Sequence, residues 1–169
     1  MTRKHNPAPV PSIAEPRPFL LRAVRRFVRE ACRCPGVLRV ALVGSLTTDK
    51  PVPKDADMLV LISDGTDLTP LARAGRRLKG RAQSINLGAD IFLAGDGGRY
   101  IGRICRFREC HLRVACRAQH CGRRNHLNDD LHIVTLSSDL IAAPAVELWP
   151  QIIRHRDLPR DVEELLLAR

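Results

Sequence analysis

The sequence predicts a domain of the α/β or α+β class, in which helices flank a mixed central sheet. The chain has 169 residues, a length that suits one domain with a buried core. Short apolar runs rich in branched residues alternate with longer amphipathic segments, as strands and helices do. One strand-like run, a helix-like segment and another strand-like run follow each other after residue 55. That order indicates two parallel strands joined by a crossover helix.

The first half of the chain predicts one helix and two strands. Apolar residues recur at three- and four-residue spacing from Arg17 to Ala31, which predicts an amphipathic helix that ends at Pro35-Gly36. Val37–Val43 is predicted to be a buried strand, and Gly44 follows it at a change of chain direction. Asp55–Ile62 is predicted to be a second strand, with apolar side chains on both faces.

The second half predicts a helix and further strands. Thr69 and Pro70 are typical of a helix start, and this helix is expected to end near Lys79 or Arg81. Gly88–Ala94 is predicted to be the third strand. Later in the chain we expect one strand and two helical ends, at Leu131–Leu136, Pro144–Ile153 and Pro159–Leu167 respectively.

Composition divides the chain into four segments. Residues 1–15 are polar and interrupted by proline, so we expect a mobile arm there. Residues 16–98 form the predicted core. Residues 99–130 are rich in cysteine and arginine and are predicted to be a small appendage, and residues 131–169 are predicted to complete the domain.

The chain is strongly basic, and it has no apolar stretch of membrane-spanning length. Its formal net charge is +10 and its pI is about 10.2, mainly because of arginine. This charge favours a polyanionic partner, although a basic protein with no such partner has the same composition. A span needs roughly 20 apolar residues, and prolines interrupt the N-terminus where a signal peptide needs an apolar core. We therefore expect a cytoplasmic protein with no membrane partner.

Three aspartates stand in the predicted strands. Asp55 and Asp57 are two residues apart, so their side chains project from the same face of one strand. Asp90 lies in the apolar run of the next strand. An unpaired carboxylate buried there lowers the free energy of unfolding by several kcal/mol unless a positive group compensates its charge. Mg²⁺, or Mn²⁺ in its place, would do so for all three acids.

Gly44-Ser45 is a candidate phosphate site. Glycine lets the backbone approach a phosphate closely, and the serine hydroxyl and the amides of a following helical turn can donate to it. Lys54, next to the first aspartate, is a further candidate for nucleotide binding, although exposed lysines are common. In the alternative structural interpretation, Gly44 serves only as a turn and Asp55 only caps a strand or pairs with arginine.

The ordered set of motifs resembles a known family. Gly44-Ser45, a loop, Asp55-x-Asp57 in a strand, a helix and Asp90 in another strand resemble the nucleotidyltransferase superfamily that includes polymerase beta, especially its small stand-alone bacterial members. The resemblance covers roughly Val37 to Ala94. It implies that Gly44 and Ser45 hold the triphosphate of a nucleoside triphosphate and that Asp55 and Asp57 ligate the metals.

The resemblance also implies a reaction. Asp90 would bind the catalytic metal and help to ionise an acceptor hydroxyl. That hydroxyl would attack the alpha-phosphorus in line and release pyrophosphate.

Four cysteines cluster in the third segment. Cys105, Cys110, Cys116 and Cys121 are separated by four, five and four residues. Four thiolates can hold a structural zinc ion, although this spacing is wider than the usual two-residue knuckle. The alternatives are disulfides or redox thiols, and small apolar side chains that simply pack in a core.

Between Arg99 and Arg124 the chain contains many arginines and a single acid, Glu109. The arginines are Arg99, Arg103, Arg106, Arg108, Arg113, Arg117, Arg123 and Arg124. They indicate RNA or another polyanion as the acceptor, while a solvated basic surface explains them equally well. A second hypothesis is therefore a non-catalytic nucleic-acid-binding module with a transferase-like scaffold and a zinc knot.

Overall fold

A computed structural model describes residues 15–106 and 116–168. Within them the chain forms an open, mixed seven-stranded sheet with helices, which confirms the predicted α+β class. The strands are β1 (Val37–Val43), β2 (Asp55–Ile62), β3 (Gly88–Gly95), β4 (Tyr100–Ile104), β5 (Leu127–Asn128), β6 (Val146–Trp149) and β7 (Ile153–Arg154). Their order across the sheet is β5-β4-β3-β2-β1-β6-β7.

The helices are α1 (Pro16–Ala31), α2 (Thr69–Gln83), α3 (Ser138–Ala142) and α4 (Arg160–Val162). A π-helical turn, Glu163–Leu167, continues α4. α1 buries one stripe that includes Leu20, Val24 and Phe27, because these residues recur at three- and four-residue spacing. α1 and α2 pack against each other on one face of the sheet. No helix in the described part of the chain is long and apolar enough to cross a bilayer.

The sheet has a separate apolar cluster on each face. Side chains alternate along β2, so that Met58 and Val60 join the cluster beneath α1 and α2 while Leu59 joins the other one. That second cluster is covered by the chain around α3, including Ile141. The sheet is therefore buried on both faces, as the apolar character of both sides of β2 predicts.

β2 and β3 run parallel, and α2 connects them. Every other neighbouring pair in the described sheet is antiparallel. The parallel pairing of β2 and β3 confirms the predicted crossover. It also brings the starting ends of β2 and β3 to the same edge of the domain.

Two sequence predictions were wrong. Leu131–Leu136 is not a strand: the amides of Ile133 and Val134 donate to the Asp130 carbonyl at 2.9 and 3.0 Å, so the chain turns there. Its apolar side chains pack on the second cluster without joining the strand ladder. Pro144–Ile153 is not helical, because Val146 and Glu147 pair with β1 to form β6. Periodicity alone cannot show whether such a short apolar run forms a strand or a helix. Pairing with β1 makes this one a strand.

The segment 99–130 contributes strands to the sheet. β4 lies between β3 and β5, and Cys105 follows its last residue. The predicted mobile arm falls almost entirely on residues 1–14, which lie outside the described residues. So does Cys110.

Candidate functional site

The three aspartates lie at one end of the parallel pair. Asp57 of β2 stands opposite Asp90 of β3, and Asp55 stands opposite Gly88. Their neighbours Ala56 and Ala89 point into the cluster beneath α1 and α2. By strand alternation, all three carboxylates therefore project from the other face of the sheet, near the starts of the two strands. The predicted site residues of β2 and β3 are brought together.

Two glycines make room for the carboxylates. Gly44 has a φ of +76°, and a Cβ on it would lie 2.5 Å from Oδ2 of Asp57. A Cβ on Gly88 would lie 2.1 Å from Oδ1 of Asp55. Side chains larger than hydrogen at these positions would displace the carboxylates. Gly44 is thus required by both its backbone conformation and its contact with Asp57.

Ser45 begins a tight helical turn directly after Gly44. The turn is closed by the amides of Thr47 and Thr48, which donate to the carbonyls of Gly44 and Ser45, both at 3.1 Å. The Thr47 hydroxyl also donates to the Gly44 carbonyl at 2.7 Å. Ser45 is half-buried, and its hydroxyl makes no hydrogen bond within residues 15–106 and 116–168. It is free to donate to a ligand over the turn.

Two arginines hold this turn from distant parts of the chain. Arg17 of α1 donates to the Leu46 carbonyl at 3.1 Å and forms an ion pair with Asp161. Arg156, an exposed residue after β7, donates to the Thr47 hydroxyl. Neither contact is predictable from a local sequence pattern, because each joins residues far apart in the chain. Arg156 adds positive charge beside the candidate phosphate turn.

Asp57 is the most perturbed of the three acids. Burial, together with the negative charges of Asp55 and Asp90, raises the pKa of Asp57 from 3.8 to about 7. Arg103 acts in the opposite direction but does not cancel the rise. The described groups therefore leave negative charge at this site uncompensated.

Arg103 is the main cation in contact with the site. It lies on β4 opposite Phe92 of β3, and its Nη1 is 3.4 Å from Oδ1 of Asp90. Its Nη2 also pairs with Asp130, whose side chain is only 2% exposed. Arg103 is therefore not available to a polyanion, contrary to the prediction from the arginine-rich sequence. Its guanidinium is engaged by two carboxylates.

The predicted lysine is not in contact with the acids. Lys54 is exposed, and its backbone carbonyl accepts the Gly88 amide at 3.0 Å. Lys79 of α2 is closer to the charge of the site: burial lowers its pKa, while Asp90 acts to raise it. Lys79, Asp90 and Arg103 line one cleft of about 330 Å³. This cleft adjoins the carboxylates and has space for part of a substrate.

Within the described residues, no group of three or more His, Cys, Asp or Glu side chains is arranged so that it could hold a metal ion. Among the aspartates, Asp90 is paired with Arg103. The chemistry of the donor set nevertheless fits Mg²⁺ or Mn²⁺, because all three groups are carboxylates and Asp57 lacks full compensation.

The cysteines do not form a cluster in the described chain. Cys105 is buried, Cys116 is half-buried and Cys121 is exposed, and no disulfide joins any of the three within the described residues. Zinc binding that includes Cys110 remains a prediction. Elemental analysis of protein purified without added metal would give about one zinc per chain if four thiolates bind it.

Comparisons of the chain with protein-family models, with curated proteins and with solved structures found no match.

Proposed function

We propose that this protein is a metal-dependent nucleotidyltransferase of the polymerase-beta-like superfamily. It would transfer a nucleoside monophosphate from a nucleoside triphosphate to an acceptor hydroxyl and release pyrophosphate. One observation carries the proposal: Asp55, Asp57 and Asp90 lie side by side at one end of a parallel strand pair, under the Gly44 turn. The basic charge of the chain favours RNA or another polyanion as the acceptor.

The turn after β1 would bind the triphosphate. The Ser45 hydroxyl is free to donate, and the exposed Gly44 carries no side chain of its own that would shield the backbone of the turn. Arg156 is exposed beside the turn and would neutralise part of the phosphate charge. Lys54 is also exposed near the strand start and is the weaker candidate, since no described contact directs it toward the turn.

Asp55 and Asp57 would hold the metals, with Asp90 as the third ligand. When bound, divalent cations offset the repulsion among the carboxylates and stabilise negative charge on the entering and leaving oxygens. Asp57 must be ionised to act as a ligand, so its raised pKa makes binding weaker below about pH 7. Asp90 must also leave Arg103, which would keep its pairing with Asp130.

Asp90 would accept the proton of the acceptor hydroxyl. It lines the cleft shared with Lys79 and Arg103, so an acceptor in that cleft would reach it. Lys79 lines the same cleft and is positioned to bind an anionic acceptor there.

The test is transfer of label from each of the four nucleoside triphosphates with Mg²⁺ or Mn²⁺. Total RNA and a cell extract supply the acceptors. We expect metal-dependent labelling that is lost in an Asp55→Asn/Asp57→Asn variant and kept in Asp49→Asn, which removes an exposed aspartate outside the site. Labelling that persists in the double variant would contradict the proposed roles.

The alternative is a nucleic-acid-binding module without catalysis. The pairing of Arg103 with Asp90 favours it, because that pairing compensates the third carboxylate without a metal. RNA binding without any transfer under the same conditions would support this alternative.

A further inference from the structure

The outer face of α1 and of the turn after it presents a stripe of arginines. Five of them lie at three- and four-residue spacing along this surface and are exposed. They are Arg22, Arg25, Arg26, Arg29 and Arg33. We call this surface the arginine face. The apolar residues of the helix are buried on its opposite side, against the sheet and α2.

No described carboxylate neutralises the arginine face. None of its five side chains forms an ion pair or a hydrogen bond within residues 15–106 and 116–168. The one acid of α1, Glu30, pairs instead with Arg77 of α2 at 2.7 Å. α2 has no acid at all, and it exposes Arg73 as well as Arg77. α2 therefore adds exposed positive charge, at Arg73, on the same side of the sheet as α1.

The shape of this surface matches a phosphate backbone. The helical rise of about 1.5 Å per residue gives the stripe from Arg22 to Arg33 a length of about 16 Å. A strand of a duplex has one phosphate per about 3.4 Å of duplex axis, so the stripe is about as long as five base pairs. Because the strand winds round the axis, only some of the phosphates within that length face the stripe. Arginine binds phosphate with a fork of donors, and its charge is permanent.

Other anionic partners fit less well. A helix that lies on a membrane inserts its apolar face, but the apolar face of α1 is buried in the core. A single-stranded nucleic acid needs aromatic side chains on which its bases stack. In the described residues, the exposed large apolar side chains include no aromatic one, and none of them lies on α1 or α2. A duplex is recognised by its backbone without stacking.

We propose that the arginine face docks on the phosphate backbone of a double-stranded nucleic acid. The three carboxylates project from the opposite face of the sheet, so this contact is separate from the proposed transfer site. The arginine face would anchor the protein on a duplex. The inference does not depend on whether the carboxylate site is active.

The test is the affinity of the full chain for a duplex as a function of salt. A labelled 20-base-pair duplex of DNA, and one of RNA with the same sequence, is titrated with the wild type and with an Arg22→Gln/Arg25→Gln/Arg26→Gln/Arg29→Gln variant. Glutamine has nearly the helix propensity of arginine, so α1 should remain folded, which circular dichroism checks. The matched control also loses four exposed cations, which lie outside α1 and do not line the cleft shared by Lys79, Asp90 and Arg103. It is Lys50→Gln/Arg99→Gln/Arg123→Gln/Arg160→Gln.

We expect the α1 variant to bind at least one of the duplexes about tenfold or more weakly than the wild type at 0.1 M salt. Each lost phosphate contact should also lower the slope of log affinity against log salt by about 0.9. The control should retain more than half of the wild-type slope. The Asp55→Asn/Asp57→Asn variant should bind duplex as the wild type does, which separates this inference from the proposed transfer.

Three results would overturn the proposal. One is equal affinity of the wild type and the α1 variant for both duplexes. Another is tighter binding of the wild type to a single strand than to either duplex. The third is binding to vesicles of anionic lipid, lost in the α1 variant, without binding to any duplex.

Discussion

Replacing Asp57 with asparagine should change how the stability of the protein depends on pH. The pKa of Asp57 is raised from 3.8 to about 7 by burial and by the charges of Asp55 and Asp90. Between these two values, the folded protein holds a proton on Asp57 that the unfolded chain has released. The free energy of unfolding of the wild type therefore falls as the pH rises from about 4 to about 7.

The pKa shift sets the size of the effect. One pKa unit corresponds to about 1.4 kcal/mol, so the ionised site destabilises the fold by up to about 4 kcal/mol above pH 7. Asparagine cannot ionise and has nearly the same shape. We expect Asp57→Asn to equal the wild type in stability near pH 4 and to exceed it by up to about 4 kcal/mol at pH 8.

The measurement is urea unfolding at a series of pH values from 4 to 8.5, followed by circular dichroism. Asp49→Asn, at an exposed site away from the cluster, controls for the loss of one carboxylate. At pH 8, Mg²⁺ should stabilise the wild type but not Asp57→Asn, because a ligand that binds only the folded state adds to its stability. Wild-type and Asp57→Asn curves that stay parallel over the whole pH range would refute the reasoning.

Two further predictions concern the contacts around the site. Gly44→Ala should cost about 1 to 2 kcal/mol more than Gly65→Ala in urea unfolding. Both positions have a positive φ, but only the Cβ at Gly44 meets Asp57, and equal losses would contradict that contact. Arg103→Met should cost about 3 kcal/mol, because Asp130 is left buried without its partner. Arg103→Met/Asp130→Leu should recover more than half of that loss, and a single variant within about 0.5 kcal/mol of the wild type would show that the pair contributes little.

The sequence predicted the elements whose signals are local. β1 and β2 have the predicted bounds, and α1 and β3 differ from theirs by one residue, because glycines, prolines and apolar periodicity mark their ends. The proximity of Asp55 and Asp57 follows from strand geometry alone. Asp90 joins them because a strand, a helix and a strand form a parallel pair.

The contacts that the sequence missed join distant residues. The pairing of Arg103 with Asp90 depends on β4 joining the sheet beside β3, a register that no local pattern specifies. Arg156 reaches Thr47 across more than 100 residues of chain. The apolar run that became β6 has no signal that distinguishes a strand from a helix until β1 is available for pairing.

Both edges of the sheet end in very short strands. β5 and β7 have two residues each. A long exposed edge would offer a row of unpaired backbone groups on which another chain can form a strand. On β7, Arg154 forms an ion pair with Glu163 at 2.7 Å, which places a charged pair at that edge. The sheet is therefore protected at both sides against edge-to-edge aggregation.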